Sequence, residues 1–223
     1  MSSLRSLGVY AVIAIDVNAL TSSDDVKPSR FEVLREAAAT AARKLLERGG
    51  WVALLAFYRR PVPLLYFTRD YSLVRSALNS LSIAERGVAL SEAIREACYL
   101  LLSAPPGYAT RTLVFTSGGF RLGPPPEPIA FFARSIGVVI DFLTVSRADL
   151  IAADVEWISR FVSWTGGVWE HARSREEALA KAVLLASREV GARPGRVWRP
   201  GLGVYPPRQL YTRQWSLGEG LQS

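Results

Sequence analysis

Four side chains stand where this sequence could do chemistry. Asp16 closes the stretch Gly8 to Leu20, GVYAVIAIDVNAL, in which a Val- and Ile-rich run ends on an acid and then turns polar. That is how a fully buried parallel strand delivers its last residue to the end of a sheet where ligands and partners gather. Ser117, in Thr116-Ser117-Gly118-Gly119 after the apolar RTLVF, could present a nucleophile on a strand-to-helix turn. His171 is the one imidazole and Cys98 the one thiol. A hydrolytic set of Ser117, His171 and Asp16 would need close geometry, and the Gly-x-Ser-x-Gly elbow is absent. His171 follows Trp169-Glu170 and reads as a surface or hinge residue, while Cys98, in EACYLLL, reads as a small buried hydrophobe. The Gly-rich turns hold neither a P-loop nor a G-x-G-x-x-G cradle. The expectation is therefore no catalytic residue, no enzymatic activity and no small-molecule substrate. Asp24-Asp25 and Glu176-Glu177 read as solvated loop and first-turn acids.

A second kind of chemistry is suggested by residues 191–223, where six Gly and four Pro interleave with aromatics and with five Arg against one Glu. Trp198, Arg199, Tyr205, Arg208, Tyr211, Arg213 and Trp215 are its candidate interaction residues. Arg and aromatics together suit single-stranded nucleic acid, by phosphate pairing and base stacking. They equally suit a protein groove, where Trp, Tyr and Arg dominate hot spots, or a tail folded back over its own domain. The whole chain carries +7, of which this segment supplies +4, so the body before it is nearly balanced. Only three of the 27 basic residues are Lys, an Arg bias that also fits thermophilic composition.

The elements that must position these residues follow from periodicity and punctuation. At 223 residues and 49% hydrophobic, the chain suits one α/β domain, residues 1–190, plus the extended tail. After Asp16 a polar loop leads through Pro28 into a helix predicted over Ser29 to Arg48, stopped by Gly49-Gly50. Trp51 to Phe57 is a second buried strand. Val62 to Thr68 is a third, paired antiparallel to it at the sheet edge, where Pro61 and Pro63 cannot donate ladder bonds. Helices follow at Tyr71–Leu81 and Leu90–Leu102, then a strand at Arg111–Phe115, and a helix through Phe131-Phe132. Ile136–Val145 is a fifth strand, followed by a helix around Asp154–Phe161 and a short strand at Val168-Trp169. The last helix, Ser174 to Val190, opens with a capping box of Ser174 and Glu177. This alternation predicts a doubly wound, Rossmann-like α/β fold with a six-stranded, mostly parallel sheet and helices on both faces. With one Cys, no signal segment and no stretch of ~18 apolar residues, a soluble cytoplasmic protein without a membrane role is expected.

Over roughly residues 7–190 the order and spacing of these stretches resemble the von Willebrand factor A (vWA) family. Members bind a divalent cation through Asp-x-Ser-x-Ser after strand 1, a Thr before a helix, and an Asp after strand 4. The matching stretches are Asp16-Val17-Asn18-Ala19-Leu20, Gly87-Val88-Ala89-Leu90 and Thr116-Ser117-Gly118. Here Asn18 and Leu20 replace the two Ser, Val88 replaces the Thr and Ser117 the second Asp. A hard cation needs oxygen ligands that Leu and Val lack, so the resemblance implies a degenerate adhesion site, with no metal and no cofactor. Asp16, Asn18, Leu20, Gly87, Val88, Thr116, Ser117 and Gly118 would then form an altered binding face, its hydrocarbon supplied by Leu20 and Val88. The loop Asp24 to Arg30 is most similar to the intracellular branch of the family. That branch includes the scaffold subunit of general transcription factor IIH and the ubiquitin-receptor subunit of the proteasome. The resemblance implies a non-enzymatic protein docking module of an intracellular complex. The other reading left open is a nucleic-acid-binding accessory protein that uses the tail.

Overall fold

The computed structural model describes residues 8–120 and 122–191. Six strands form one sheet in the order β3-β2-β1-β4-β5-β6. They are β1 (Val9–Asp16), β2 (Trp51–Phe57), β3 (Pro61–Thr68), β4 (Ala109–Thr116), β5 (Val138–Val145) and β6 (Trp169–Ala172). Every neighbouring pair is parallel except β2 with β3. The helices are α1 (Arg30–Glu47), α2 (Tyr71–Asn79), α3 (Leu90–Leu101), α4 (Pro126–Ser135), α5 (Ala152–Thr165) and α6 (Arg175–Ser187). This is the doubly wound, Rossmann-like architecture that the alternation of strands and helices predicts.

Two apolar layers sandwich the sheet. Alternate residues of β1 supply both: Ala11, Ile13 and Ile15 pack with Phe31, Leu34 and Leu45 of α1 and Leu185 of α6. Val12 and Ala14 pack with Ile94 and Ala97 of α3, Ala130 of α4 and Phe161 of α5. Burial on both faces is why the central strands read as continuous apolar runs with no alternation. The sheet order reverses direction between β1 and β4, which places the loops after those two strands beside one another at the switch point of the fold.

Local signals set most boundaries. Ser29 caps α1 by accepting from the Glu32 N–H at 3.2 Å, and Ser174 caps α6 by accepting from Glu177 N–H at 3.2 Å. Glu177 in turn accepts from the Arg173 N–H at 3.0 Å, so this acid belongs to the cap and is not merely solvated. Asp25 departs from expectation more strongly. It is partly buried, takes a two-pronged hydrogen bond from Arg30 and another from the Arg147 N–H at 2.8 Å, tying the loop after β1 to the loop after β5. The Arg30 guanidinium holds its carboxyl well below the usual range.

β6 runs to Ala172, three residues beyond the predicted strand, because His171 and Ala172 continue the pairing with Thr144 and Val145 at the open edge of the sheet. His171 is therefore a strand residue and not a hinge. The last helix stops at Ser187, short of Val190. Its C-cap Arg188 turns extended, and its side chain reaches under the sheet to Asp141.

Candidate functional site

The loops that carry the motif positions meet at the carboxyl end of β1 and β4. Asp16 is fully buried there, and every partner it has is neutral. Its Oδ1 accepts from the Asn18 N–H at 3.0 Å and from Asn18 Nδ2 at 2.6 Å; its Oδ2 accepts from the Thr116 hydroxyl at 2.8 Å. The Ser117 N–H adds a further donor. These bonds favour the carboxylate, but removal from water outweighs them, and the Asp16 pKa is pushed up to about 6.

The neighbours of Asp16 are committed to the protein itself. Asn18 is buried, and its Oδ1 caps the short 3₁₀ turn Ala19–Ser22 by accepting from Leu20 N–H at 2.8 Å. Its backbone oxygen accepts from the Thr21 hydroxyl at 2.7 Å. Thr116 Oγ1, besides donating to Asp16, accepts from Gly118 N–H at 3.1 Å. Ser117 Oγ is buried with no partner.

The third loop is held from the far side by a residue that the sequence reading passed over. Asp154, in the first turn of α5 and nearly fully buried, accepts from Gly119 N–H at 2.7 Å and from Phe120 N–H at 3.1 Å. Gly118 makes this approach possible: its φ is +90°, and a Cβ there would lie 2.7 Å from Asp154 Oδ2. The signal in sequence was an acid in a helix first turn, which cannot be told from an ordinary dipole-facing Asp.

Two motif positions part company. Leu20 is 43% exposed, and its side chain leans on Gly119, joining the first loop to the third. Val88 is fully buried and belongs to the core on the α3 side, so it adds nothing to the surface and the expected contribution of Val88 to an apolar face is corrected. What the 87–90 loop gives instead is position: the Leu122 side chain lies against Gly87, and the Leu122 N–H reaches the Val88 carbonyl at 3.3 Å. The surface hydrocarbon at this end comes from Leu20, Ile83, Leu122 and Ile151, all exposed. Ala84 N–H bonds to Val17 O at 2.6 Å, which seats Ile83 beside the end of β1, and Leu150 packs on Gly118 next to Ile151.

A hydrolytic set is not assembled. Register places Thr116, Thr144 and His171 in one row across β4, β5 and β6, level with the end of β1. Asp16 and His171 are thus three strand spacings apart, about 14 Å. His171 Nδ1 instead meets the Thr144 hydroxyl at 2.9 Å, and burial lowers its pKa. Cys98 is fully buried on α3, its thiol pushed up to about 12 by loss of water.

The same test applies to a cation. Mg²⁺ demands near-octahedral oxygen ligation, usually with more than one charged ligand in such a loop cup. Here one carboxylate is present with both oxygens already accepting, hydrocarbon stands at positions 20 and 88, and among the described residues no three His, Cys, Asp or Glu side chains converge. As folded, this donor set does not fit a hard divalent cation. The candidate tail residues Trp198, Arg199, Tyr205, Arg208, Tyr211, Arg213 and Trp215 lie outside the described residues. No helix among the described residues is long and apolar enough to cross a membrane.

Residues 11–120 match the family model for the von Willebrand factor type A domain. Solved structures with the same fold include the conserved hypothetical protein BatB from Bacteroides thetaiotaomicron, 21% identical with a TM-score of 0.70, over 81% of this chain and 98% of that one. An aerotolerance-related membrane protein from Bacteroides fragilis is 19% identical with a TM-score of 0.68, over 80% of this chain and 98% of that one. The vWA domain of SpRpn10 is 17% identical with a TM-score of 0.66, over 84% and 98%. At these identities the likeness is one of fold. A search of curated proteins returns no match.

Proposed function

We propose that this chain, whose fold and family-model match are of the vWA type, is a protein–protein interaction module that docks a partner on the loops around Asp16 without a metal ion. The observation that carries this reading is the pairing of a buried, fully hydrogen-bonded Asp16 with an exposed Leu20 seated on Gly119. A family cup that would collect oxygen donors here collects hydrocarbon. A partner gripped by a metal must offer an oxygen ligand. One gripped by Leu20, Ile83, Leu122 and Ile151 offers an apolar surface, and the free energy comes from desolvation.

The reading extends to a degenerate adhesion site and to a scaffold role in a cytoplasmic complex, as in the intracellular branch of the family. The fold likeness to the SpRpn10 vWA domain and the loop Asp24 to Arg30 support that setting. The likeness to a protein described as a membrane protein supports a membrane-associated complex as the competing setting.

The test is affinity purification of the full chain from its native source, comparing wild type with a Leu20→Asp/Leu122→Asp variant. A stoichiometric partner retained in chelator and at high salt, lost in the variant and kept by a Tyr66→Asp control on exposed β3, is the expected result. A partner released by chelator, or retained equally by the variant, would overturn the reading.

A further inference from the structure

On the side of the sheet that carries α1 and α2, a groove of about 390 Å³ lies between these two helices. Arg35, Ala39 and Arg43 of α1 line one side and Tyr71 and Arg75 of α2 the other, with Leu78 buried beneath them. Residues four apart share one helix face, so each set forms a single row along the groove. Its size falls within the span of about 300–1,000 Å³ in which ligand sites lie.

The acids of this groove are already answered by cations of the chain itself. Glu32 is paired with Arg35, and Glu36 accepts from Arg175 Nε at 2.7 Å and from its Nη2 at 2.5 Å. Among the described residues no carboxylate pairs with Arg43 or Arg75, and both are exposed, so the groove keeps two positive charges with no counter-charge in contact. Arg43 is also held in place. Its Nη2 donates to the Tyr71 hydroxyl at 3.2 Å and its guanidinium carbon lies 4.7 Å from the Tyr71 ring centroid, which leaves most of its N–H donors free. A guanidinium fixed in this way loses little rotamer freedom when it takes an anion. Arg75 stands one helical turn after Tyr71 on the same face, about 5–6 Å along the groove.

We propose that the α1–α2 groove docks an extended acidic segment of a partner protein, two of whose carboxylates, at alternate positions, pair with Arg43 and Arg75. Alternate side chains of an extended chain point the same way about 7 Å apart, close to the one helical turn that separates the two guanidiniums. Ala39 and Leu78 form the apolar floor on which the segment lies. Two guanidiniums a turn apart suit two separate carboxylates better than one phosphate, which would draw them together against their own repulsion. The groove is built from other elements than the Asp16 loops and does not depend on the docking reading there.

The test titrates the full chain with an acetylated, amidated hexapeptide of alternating Glu and Val, followed by amide resonances. Saturable shifts are expected at residues 39–43 and 71–79, with affinity falling about fivefold as salt rises from about 50 to about 300 mM. Arg43→Gln with Arg75→Gln, both exposed, should weaken binding about tenfold or more. Arg95→Gln with Arg134→Gln, the same change of charge on exposed positions of α3 and α4, should leave it unchanged. The Leu20→Asp/Leu122→Asp variant should bind the peptide as wild type does, so this proposal and the docking reading fail separately. No saturable shift, shifts confined to another face, equal binding of a Gln–Val peptide, or equal loss in the α3–α4 control would overturn the proposal. So would complete displacement of the peptide by an equal concentration of inorganic phosphate, which would assign a phosphate site, or tighter binding of a single-stranded oligonucleotide on the same residues.

Discussion

Asp16 and Asp141 are both carboxylates with no exposed surface, set at different depths of the same sheet, and they have been handled in opposite ways. Asp141 is clamped between two guanidiniums, Arg111 from β4 and Arg188 from the end of α6, and accepts from Val168 N–H at 2.9 Å. Arg111 Nη2 also donates to the carbonyl of Leu185, at 3.0 Å, and Nη1 to that of Arg188, at 3.2 Å, while its Nε is buried without a partner. Burial pulls its pKa down while Asp141 beside it pushes back. This cluster is a fastening: it fixes where α6 ends and where the following chain departs. Asp16 has no cation at all. Four neutral donors hold it, and it keeps a pKa far above that of an ordinary aspartate. A buried carboxylate with a counter-charge fastens two elements together; one with neutral donors alone ties its own loop to the end of β4.

The contrast breaks most readily at Asp141. Asp141→Ala strands the Arg111 charge in the interior and should cost about 3–5 kcal/mol in denaturant unfolding. Arg111→Met with Asp141→Leu should cost clearly less than Asp141→Ala, because the guanidinium then left without its carboxylate is Arg188, which is part-exposed, and not the buried Arg111. If the double change is as damaging as the sum, the cluster is not an ion-pair fastening.

Asp16 gives the next largest effect, and it depends on pH. Its folded pKa of about 6 exceeds the ordinary 3.8, so the folded state holds the proton more tightly. The associated stability is fully present below about pH 3.8 and is lost as pH rises to 6. A gap of about two units, at about 1.4 kcal/mol each, makes the wild type roughly 3 kcal/mol less stable at pH 7 than at pH 3.5 through this group alone. Asp25, held low by Arg30, works in the opposite sense, so the comparison is with Asp16→Asn, which should lack this one component. Parallel stability curves for wild type and Asp16→Asn would contradict the assignment.

Asp154→Ala comes third. It frees the N–H groups of Gly119, part-buried, and Phe120, buried, and should cost about 1–3 kcal/mol, with faster hydrogen exchange at these two residues than elsewhere. Leu20→Ser should be smallest, within about 0.5 kcal/mol in stability, since the side chain is already largely in water. Its effect belongs to partner capture, and a loss of stability comparable to that of Asp154→Ala would make Leu20 a core residue and not a docking one.

The sequence carried the fold because the apolar runs are long and the punctuation is strong: Asp16 ends β1, Gly49-Gly50 ends α1, and Pro61 and Pro63 mark the antiparallel edge. It carried the meeting of the three loops through order and spacing. Val88 was misplaced because a substituted ligand position need not stay at the surface; its loop turns the side chain into the core and leaves the surface to Leu122. Asp154 and the Arg111–Asp141–Arg188 cluster were missed for a shared reason. Each is a long-range polar contact, between residues 30 to 47 apart, that leaves no local pattern. Arg111 opens what reads as an ordinary strand, and only its complete burial reveals its role.

A metal titration of the full chain, followed by amide resonances, tests most directly the proposal that the Asp16 loops work without a cation. With Mg²⁺ raised to millimolar levels, the signals of Asn18, Ser117 and Gly118 should stay in place and calorimetry should register no stoichiometric heat. A saturable one-to-one shift confined to those residues, at micromolar affinity, would contradict the account.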